Sequence, residues 1–507
     1  NVRPVKVISR PDQYVDVSLW SGNGTSQTVS GLKYKPDFVW LKKRAGGSAR
    51  SHQLFDSVRG VHETLHSDSN GAEDTNSNRL TAFNRDGFTV GGDDGSNGSG
   101  GTFVAWCWKA GGNKNTFNVD DVGYASASNV NMSVGALNSV AFDQSATWSN
   151  SLTASNGFIS GSYDATKAFN GSTSGNHSGT NSGGTLTFAP NLTIPAGSII
   201  EVYAGSAASA LMDITVNGVA NNSTPGGRFV KVNYDGSTTL TSLTIKRSNN
   251  VNNSADLRGI RINGKLLVDS GVTINAPSIA PTGCSVGTKQ GFSIIRYQAN
   301  STAGASIPHG LSQAPNFVLV KSLETAGSSN SDWTVFHSTL GGTKAMYLNQ
   351  SSGSGSTGSW NDTDPDAHVI TLGTAHVSNL SPNHYIAYAW HDVPGLQKFG
   401  SYKANGNADG PFVECGFRPA IVMVKRDGSG HWVIMDNKRD TDNPMEDRIK
   451  IDSNEAESDT PAWDALSNGF KLRSTYGFSN SGTDTYIYAA WAEAPAINLF
   501  GAQSNAR

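Results

Sequence analysis

The 507 residues carry a formal charge of -3, only 16% are charged, and 57 are glycine. That balance excludes a broad cationic surface for nucleic-acid phosphates, and no run of about 18 apolar residues is present to span a membrane as a helix. The length exceeds one ordinary core and points to three or four domains.

Glycine and asparagine tolerate the positive φ of hairpin turns, and long helical runs of Ala, Glu, Leu and Lys are absent, so the expected class is all-β. The chain starts at Asn1 with no charged-then-apolar segment, which reads as a processed or partial product. Cys107, Cys284 and Cys415 lie far apart in sequence. An odd, scattered count is neither a disulfide framework nor a Cys-x-x-Cys metal site.

After a lead segment (1–14), one order of events occurs three times. Repeat 1 (15–112) opens at Leu19-Trp20-Ser21, turns at Lys35-Pro36, and runs through the strand Phe38 to Arg44. It closes at Phe103-Val104-Ala105-Trp106-Cys107-Trp108. Repeat 2 (291–395) turns at Ala314-Pro315, continues with Phe317 to Lys321 and closes at Tyr385 to Trp390. Repeat 3 (396–496) turns at Arg418-Pro419, continues with Ile421 to Arg426 and closes at Tyr486 to Trp491. Pro36, Pro315 and Pro419 precede the closing tryptophans by 72, 75 and 72 residues, a regularity that low complexity does not produce. Each closing segment reads as a buried strand anchoring its own sandwich.

A connector (113–141), an insert (142–275) and a Pro277/Pro281 linker (276–290) separate repeats 1 and 2, and a tail (497–507) follows repeat 3. Period-two alternation at Ile199 to Tyr203 and Met212 to Val216, with an Asn263-Gly264 turn, makes the insert a fourth, different β-sandwich. The expected architecture is three tandem sandwich repeats with this domain inserted between the first and second.

Three catalytic-looking motifs have plainer readings. His62-Glu63-Thr64-Leu65-His66 matches a zinc signature that requires a helix, yet it lies between Gly60 and Ser67-Asp68-Ser69-Asn70-Gly71, as in a polar loop. Glu73 is too near in sequence to act as a distant third ligand. Gly283-Cys284-Ser285-Val286-Gly287 matches a nucleophile elbow, but strand rather than helix follows. Gly353 to Gly358 matches Gly-x-Gly-x-x-Gly in what reads as a hairpin tip. Asp93-Asp94, Asp120-Asp121 and Asp362, Asp364 and Asp366 read as solvated loop acids, with glycoside hydrolysis or calcium as the alternatives.

Several stretches resemble tandem β-domains of tail-fibre and related virion proteins of marine bacteriophages, including cyanophages. They are Phe55-Asp56-Ser57-Val58-Arg59-Gly60, Phe83 to Phe88, Phe103 to Gly112, Phe399 to Arg426, Leu466 to Leu472, Ala492-Glu493-Ala494-Pro495 and Ser504-Asn505-Ala506-Arg507. The resemblance covers about two-thirds of the chain and departs from the pattern at His62 to His66. Within the insert, Asp164 to Ser172 and Leu257 to Asp269 resemble a galactose-binding, discoidin-type sandwich, with Asn170 where such modules usually carry Asp.

The resemblance implies a virion-surface, extracellular tail component that contacts a host-surface glycan. It further implies a homotrimer beside other virion tail proteins; no catalysis, cofactor or metal is expected, and charge and hydropathy speak against nucleic-acid binding and membrane insertion. Glycan binding needs an exposed aromatic face flanked by hydrogen-bonding side chains. In the insert, Trp148, Tyr163, Asn170 and His177 supply those types. The rival expectations are an architectural baseplate, tail or capsid subunit, a zinc hydrolase through His62, Glu63 and His66, and a polysaccharide depolymerase.

Overall fold

The strand after each turn proline is apolar on both faces, and this decides how the repeats assemble. In the computed structural model, Phe38 and Trp40 of repeat 1 join one core with Phe317 and Leu319 of repeat 2 and Ile421 and Met423 of repeat 3. The alternate residues point the other way into a core private to each repeat: Val39 and Leu41, Val318 and Val320, Val422 and Val424. The structure describes residues 7–134, 141–159, 163–171, 177–205, 209–249, 252–272, 277–324, 331–497 and 503–504. Ser172, Asn275 and the Asn505-Ala506-Arg507 end, all part of the sequence expectations above, lie outside them.

The chain is all-β and divides into two compact units, Asn1–Gly135 with Pro277–Arg507, and Ala136–Ala276. The three repeats lie together in the first of these units. In each, the closing strand is central to an antiparallel sheet. Thr102–Trp108 lies between Val15–Ser21 and Phe38–Ala45, and His384–Trp390 between Phe292–Gln298 and Phe317–Ser322. Thr485–Ala492 lies between Gln397–Lys403 and Pro419–Arg426.

One face of each sheet carries a small second layer, such as Gln27–Ser30 with Gly87–Val90 and Leu80–Asn84 in repeat 1. The other faces meet one another. The closing tryptophans form a triangle, with ring centroids 6.3 Å apart for Trp108–Trp390, 5.2 Å for Trp108–Trp491 and 6.3 Å for Trp390–Trp491. A pseudo-threefold axis passes among them.

Bonds between repeats close the same circuit. Trp333 of repeat 2 donates to the His66 carbonyl of repeat 1 at 2.8 Å, and Trp432 of repeat 3 donates to the Tyr347 carbonyl of repeat 2 at 2.9 Å. In repeat 1 the corresponding residue is His52, whose Nε2 lies 2.9 Å from the Lys450 carbonyl of repeat 3. Trp40 donates to His52 Nδ1, which leaves the ring proton on Nε2 for that bond.

Two stretches expected as connector and linker are strands. Phe117–Val119 pairs with Val122–Tyr124 and, in parallel, with Pro281–Gly287. Pro281–Gly287 then pairs with Phe292–Gln298, extending the sheet of repeat 2 to eight strands. Pro281 stands at the first strand position, where a missing N–H costs no ladder bond, so its presence did not mark a linker.

The second unit is a sandwich. One sheet runs through Ala141–Asp143, Lys265–Leu267, Asp256–Ile262, Ile200–Ala204 and Phe229–Val232. The other runs through Leu152–Ala154, Leu186–Phe188, Leu243–Arg247, Leu211–Val216 and Val219–Pro225. Alternating burial along 200–204 and 211–216 fills the space between them. Asn263 (φ 53) and Gly264 (φ 82) make the tight turn between two strands of the first sheet, both with the positive φ such a hairpin requires.

Candidate functional site

The site in the second unit begins at a short helical turn. Asp164 caps Ala165–Ala168 by accepting from the Thr166 N–H, and the turn ends at Phe169, which is fully buried. The cap fixes the chain so that Tyr163, just before it, returns to the sheet: the Tyr163 carbonyl accepts from Gly179 N at 2.9 Å. Ser178–Gly179 pairs with Leu257 and Asp256 at the start of strand Asp256–Ile262. These contacts bring Tyr163 and His177 together with ring centroids 4.9 Å apart. His177 Nε2 sits 3.1 Å from Asp256 Oδ1. A buried carboxylate thus orients an imidazole beside a half-exposed phenol ring.

Asp256 was not among the sequence candidates, and neither were the residues that continue the strip along its strand. Arg258 stands 5.8 Å from the Tyr203 ring, Tyr203 meets Phe229 edge-on at 5.3 Å, and Arg261 lies 3.8 Å over Phe229. Arg258 and Arg261 are three residues apart, and the register of their strand against Ile200–Ala204 shifts between Tyr203 and Ala204, so strict alternation does not put them on one face. Cross-strand register alone places Tyr203 opposite Phe229 and Glu201 opposite Arg261.

Trp148 does not belong to this site. It is a core residue, 7% exposed, and its indole donates to the Asp143 carbonyl at 3.2 Å. A large aromatic in a turn-rich stretch gains more from filling the sandwich than from facing water. Asn170 follows Phe169 in a half-buried position and is engaged in contacts of its own.

The enzyme-like motifs fold into other structures. His62 to Leu65 lies in strand Gly60–Leu65, neither the polar loop expected nor the helix that zinc chemistry needs. His62 has a φ of 77° and His66 lies past the strand end, so the pair lacks the one-turn helical spacing that sets two imidazoles on one metal ion. His66 Nδ1 bonds the His52 carbonyl. Among the described residues no group of three or more His, Cys, Asp or Glu is placed to hold a metal ion.

Ser285 is fully buried in strand Pro281–Gly287, accepts from Gly111 N and donates to the Gly112 carbonyl, so it pins a strand and sits on no elbow. The Gly353 to Gly358 segment is no free tip: Ser354 bonds Asp427 of repeat 3 through both backbone and hydroxyl.

The acids have local duties. Asp93 caps a helical turn, Asp94 pairs with Lys43 and Arg50, and Asp120 holds Thr288. Asp364 accepts from Gly342 N, and Asp366 accepts from His368 N and Val369 N. The three cysteines are free and buried. A polar cleft of about 660 Å³ between repeats 1 and 3 has its charges neutralised within it: Arg10 and Lys33 pair with Asp12, and Lys438 lies 3.9 Å from Asp16.

No helix among the described residues is long and apolar enough to cross a membrane. No curated protein matches the chain. A family model covers residues 10–159 and 161–495, taking in the repeats and nearly all of the second unit. The chain accordingly belongs to the family described as Domain of unknown function (DUF7483).

Proposed function

We propose that the chain is a receptor-binding component of a bacteriophage tail fibre that attaches to a host-surface glycan. In this reading it is displayed outside the cell on the virion, beside other tail proteins and as a homotrimer, and it carries no catalysis and no cofactor. The observation that supports it best is the grouping of Tyr163, His177 and Asp256, an apolar ring beside an oriented hydrogen-bonding pair at the surface of the one domain that does not repeat. The similarity of the repeats to marine phage fibre domains agrees with this. Single sites of this kind bind weakly, and display in several copies raises avidity by about 10²–10⁴.

The test compares the whole chain, Tyr163→Ala, His177→Ala and a deletion of 142–275 for binding to marine bacterial cells and their purified surface polysaccharides. Binding by the whole chain that is lost in all three folded variants supports the reading. Equal binding by all four refutes the assignment to this domain.

A purely architectural reading is favoured by a different observation, the triangle of Trp108, Trp390 and Trp491, which commits much of the chain to one rigid body. Stoichiometry in particles separates the two: a few copies for a fibre, hundreds for a decoration.

A further inference from the structure

We propose that repeat 3 carries a separate binding site for an anionic sugar unit, in a cleft of about 320 Å³ lined by Arg426, His431, Arg448, Lys450 and Phe478. This deepens the attachment reading with a second sugar class, at a place distinct from the Tyr163 site.

The cleft is built by three elements. Strand Pro419–Arg426 ends at Arg426, strand Met445–Lys450 presents Arg448 and Lys450, and the turn before strand Thr485–Ala492 carries Tyr476 and Phe478. Tyr476 is 54% exposed and stacks on Phe478 with centroids 5.7 Å apart and an 11° tilt. The Arg448 guanidinium lies 4.4 Å over the Phe478 ring. An aromatic platform of this kind suits the C–H face of a sugar, and a guanidinium beside it offers paired donors to a carboxylate or sulfate.

The charges of the lining are unequal in their partners. Arg426 pairs with Asp484 at 2.6 Å, Lys450 with Glu455 at 2.8 Å, and His431 with the buried Asp452 at 2.9 Å. Arg448 instead bonds the Ser458 hydroxyl at 3.2 and 3.0 Å. No carboxylate among the described residues stands within 4.0 Å of it. Arg448 is thus held in place by a neutral group and a ring face, and Glu455 acts on it only from beyond ion-pair distance.

The pseudo-symmetry supplies an internal comparison. Repeat 1 forms a cleft of about 360 Å³ at the corresponding place, where Asp93 and Asp94 stand in the positions of Tyr476 and Gly477. There Arg50 pairs with Asp94 and Arg79 with Asp74, so that cleft neutralises itself. Repeat 2 has Ala375 and Val377 in place of Tyr476 and Phe478 and Ala345 in place of Arg448. The combination of aromatic platform and a guanidinium with no directly bonded carboxylate belongs to repeat 3.

The experiment is calorimetry of the whole chain at low salt with three probes: a polyuronate oligosaccharide, a sulfated galactan oligosaccharide and a neutral glucan oligosaccharide. Binding of at least one anionic probe and not the neutral one is expected, weakening about 10-fold or more in Arg448→Ala and in Tyr476→Ala. Tyr163→Ala and Arg50→Ala are expected to leave it unchanged. Which anionic probe binds tells carboxylate from sulfate. Tyr476 is exposed, so Tyr476→Ala keeps the test valid if Arg448→Ala fails to fold. No binding of either anionic probe, or undiminished binding in folded Arg448→Ala and Tyr476→Ala, overturns the proposal. Loss of cell attachment in Tyr163→Ala with anionic-probe binding intact concerns the other site only, so the two readings fail separately.

Discussion

The hydroxyl of Tyr388 in repeat 2 donates to the Asp56 carboxylate of repeat 1 at 2.6 Å, with both residues fully buried. Asp56 also holds Arg59 at 2.5 Å. Repeat 3 repeats the arrangement: Trp106 of repeat 1 donates to Asp436 at 2.9 Å, and Asp436 holds Arg439 at 2.6 Å. In repeat 2 the counterpart is His337, whose Nδ1 accepts from Thr339 N and whose Nε2 faces the Tyr488 carbonyl of repeat 3 at 3.2 Å.

Removing the carboxylate from such a site leaves the buried guanidinium with one remaining carboxylate, Glu73 for Arg59 and Glu457 for Arg439, and strips the partner from the buried donors that Asp56 or Asp436 accepts from. Asp56→Ala is expected to cost about 3–5 kcal/mol, and Tyr388→Phe about 1–2 kcal/mol because it removes the hydroxyl's bonds to Asp56 and from Arg59. Guanidinium unfolding followed by tryptophan fluorescence measures both. A loss below 1 kcal/mol for Asp56→Ala contradicts the role given to the pair.

The shared core makes the repeats interdependent. A chain ending before Gln397 uncovers Trp108 and Trp390, which otherwise meet Trp491. Its expected behaviour is aggregation or binding of a hydrophobic dye, with the cooperative transition lost. A soluble two-repeat fragment that melts like the whole chain rules out the shared core.

Burial pushes Lys42, Lys321 and Lys425 down to about 8. Their ordinary value is 10.5, so between about pH 8 and 10.5 the unfolded chain binds more protons than the folded one, and stability rises with pH. Each lysine adds at most about 1.4 kcal/mol per pH unit. Burial raises Tyr34, Tyr297, Tyr388 and Tyr402 well above 10, which reverses the slope above about pH 10, where the unfolded chain loses those protons first. Thermal melts from pH 7 to 11 are expected to peak near pH 10, with a shallower rise in Lys42→Met.

Acid works in the opposite sense. Burial lowers His309 and His337 to about 4 from 6.5. Between those values the unfolded chain binds the extra protons, so stability falls as pH drops from 6.5 towards 4, by at most about 1.4 kcal/mol per unit for each histidine. His337→Gln, which keeps a donor for the Tyr488 carbonyl, is expected to remove its share of the slope. An unchanged slope in that variant rules out His337 as a contributor.

In the second unit the aromatics separate by role. Trp148→Ala is expected to destabilise that domain by about 3–5 kcal/mol, while Tyr163→Ala leaves its melting within about 0.5 kcal/mol and lowers glycan binding. Domain melting and glycan titration of the two variants check this. Equal melting of both refutes the division.

The sequence by itself determined the all-β class, the three repeats with their prolines and tryptophans in register, and most strands of the inserted sandwich. Each of these follows from local periodicity and turn chemistry. It also carried the argument against a zinc helix at His62 to His66, because too little helical sequence surrounds it. Only the tertiary structure decided where the second apolar face of each repeated strand goes. Phe38 and Val39 are equally hydrophobic, and alternation reports burial without naming the neighbour. The same limit hid Lys42, which reads as the solvated end of a strand and is fully buried against the Asn454 carbonyl of repeat 3. It also hid Asp256, whose partner His177 lies 79 residues away, and Arg448, whose partners Ser458 and Phe478 stand on a neighbouring strand and a later turn, since chemistry assembled between strands leaves no spacing in the sequence to read.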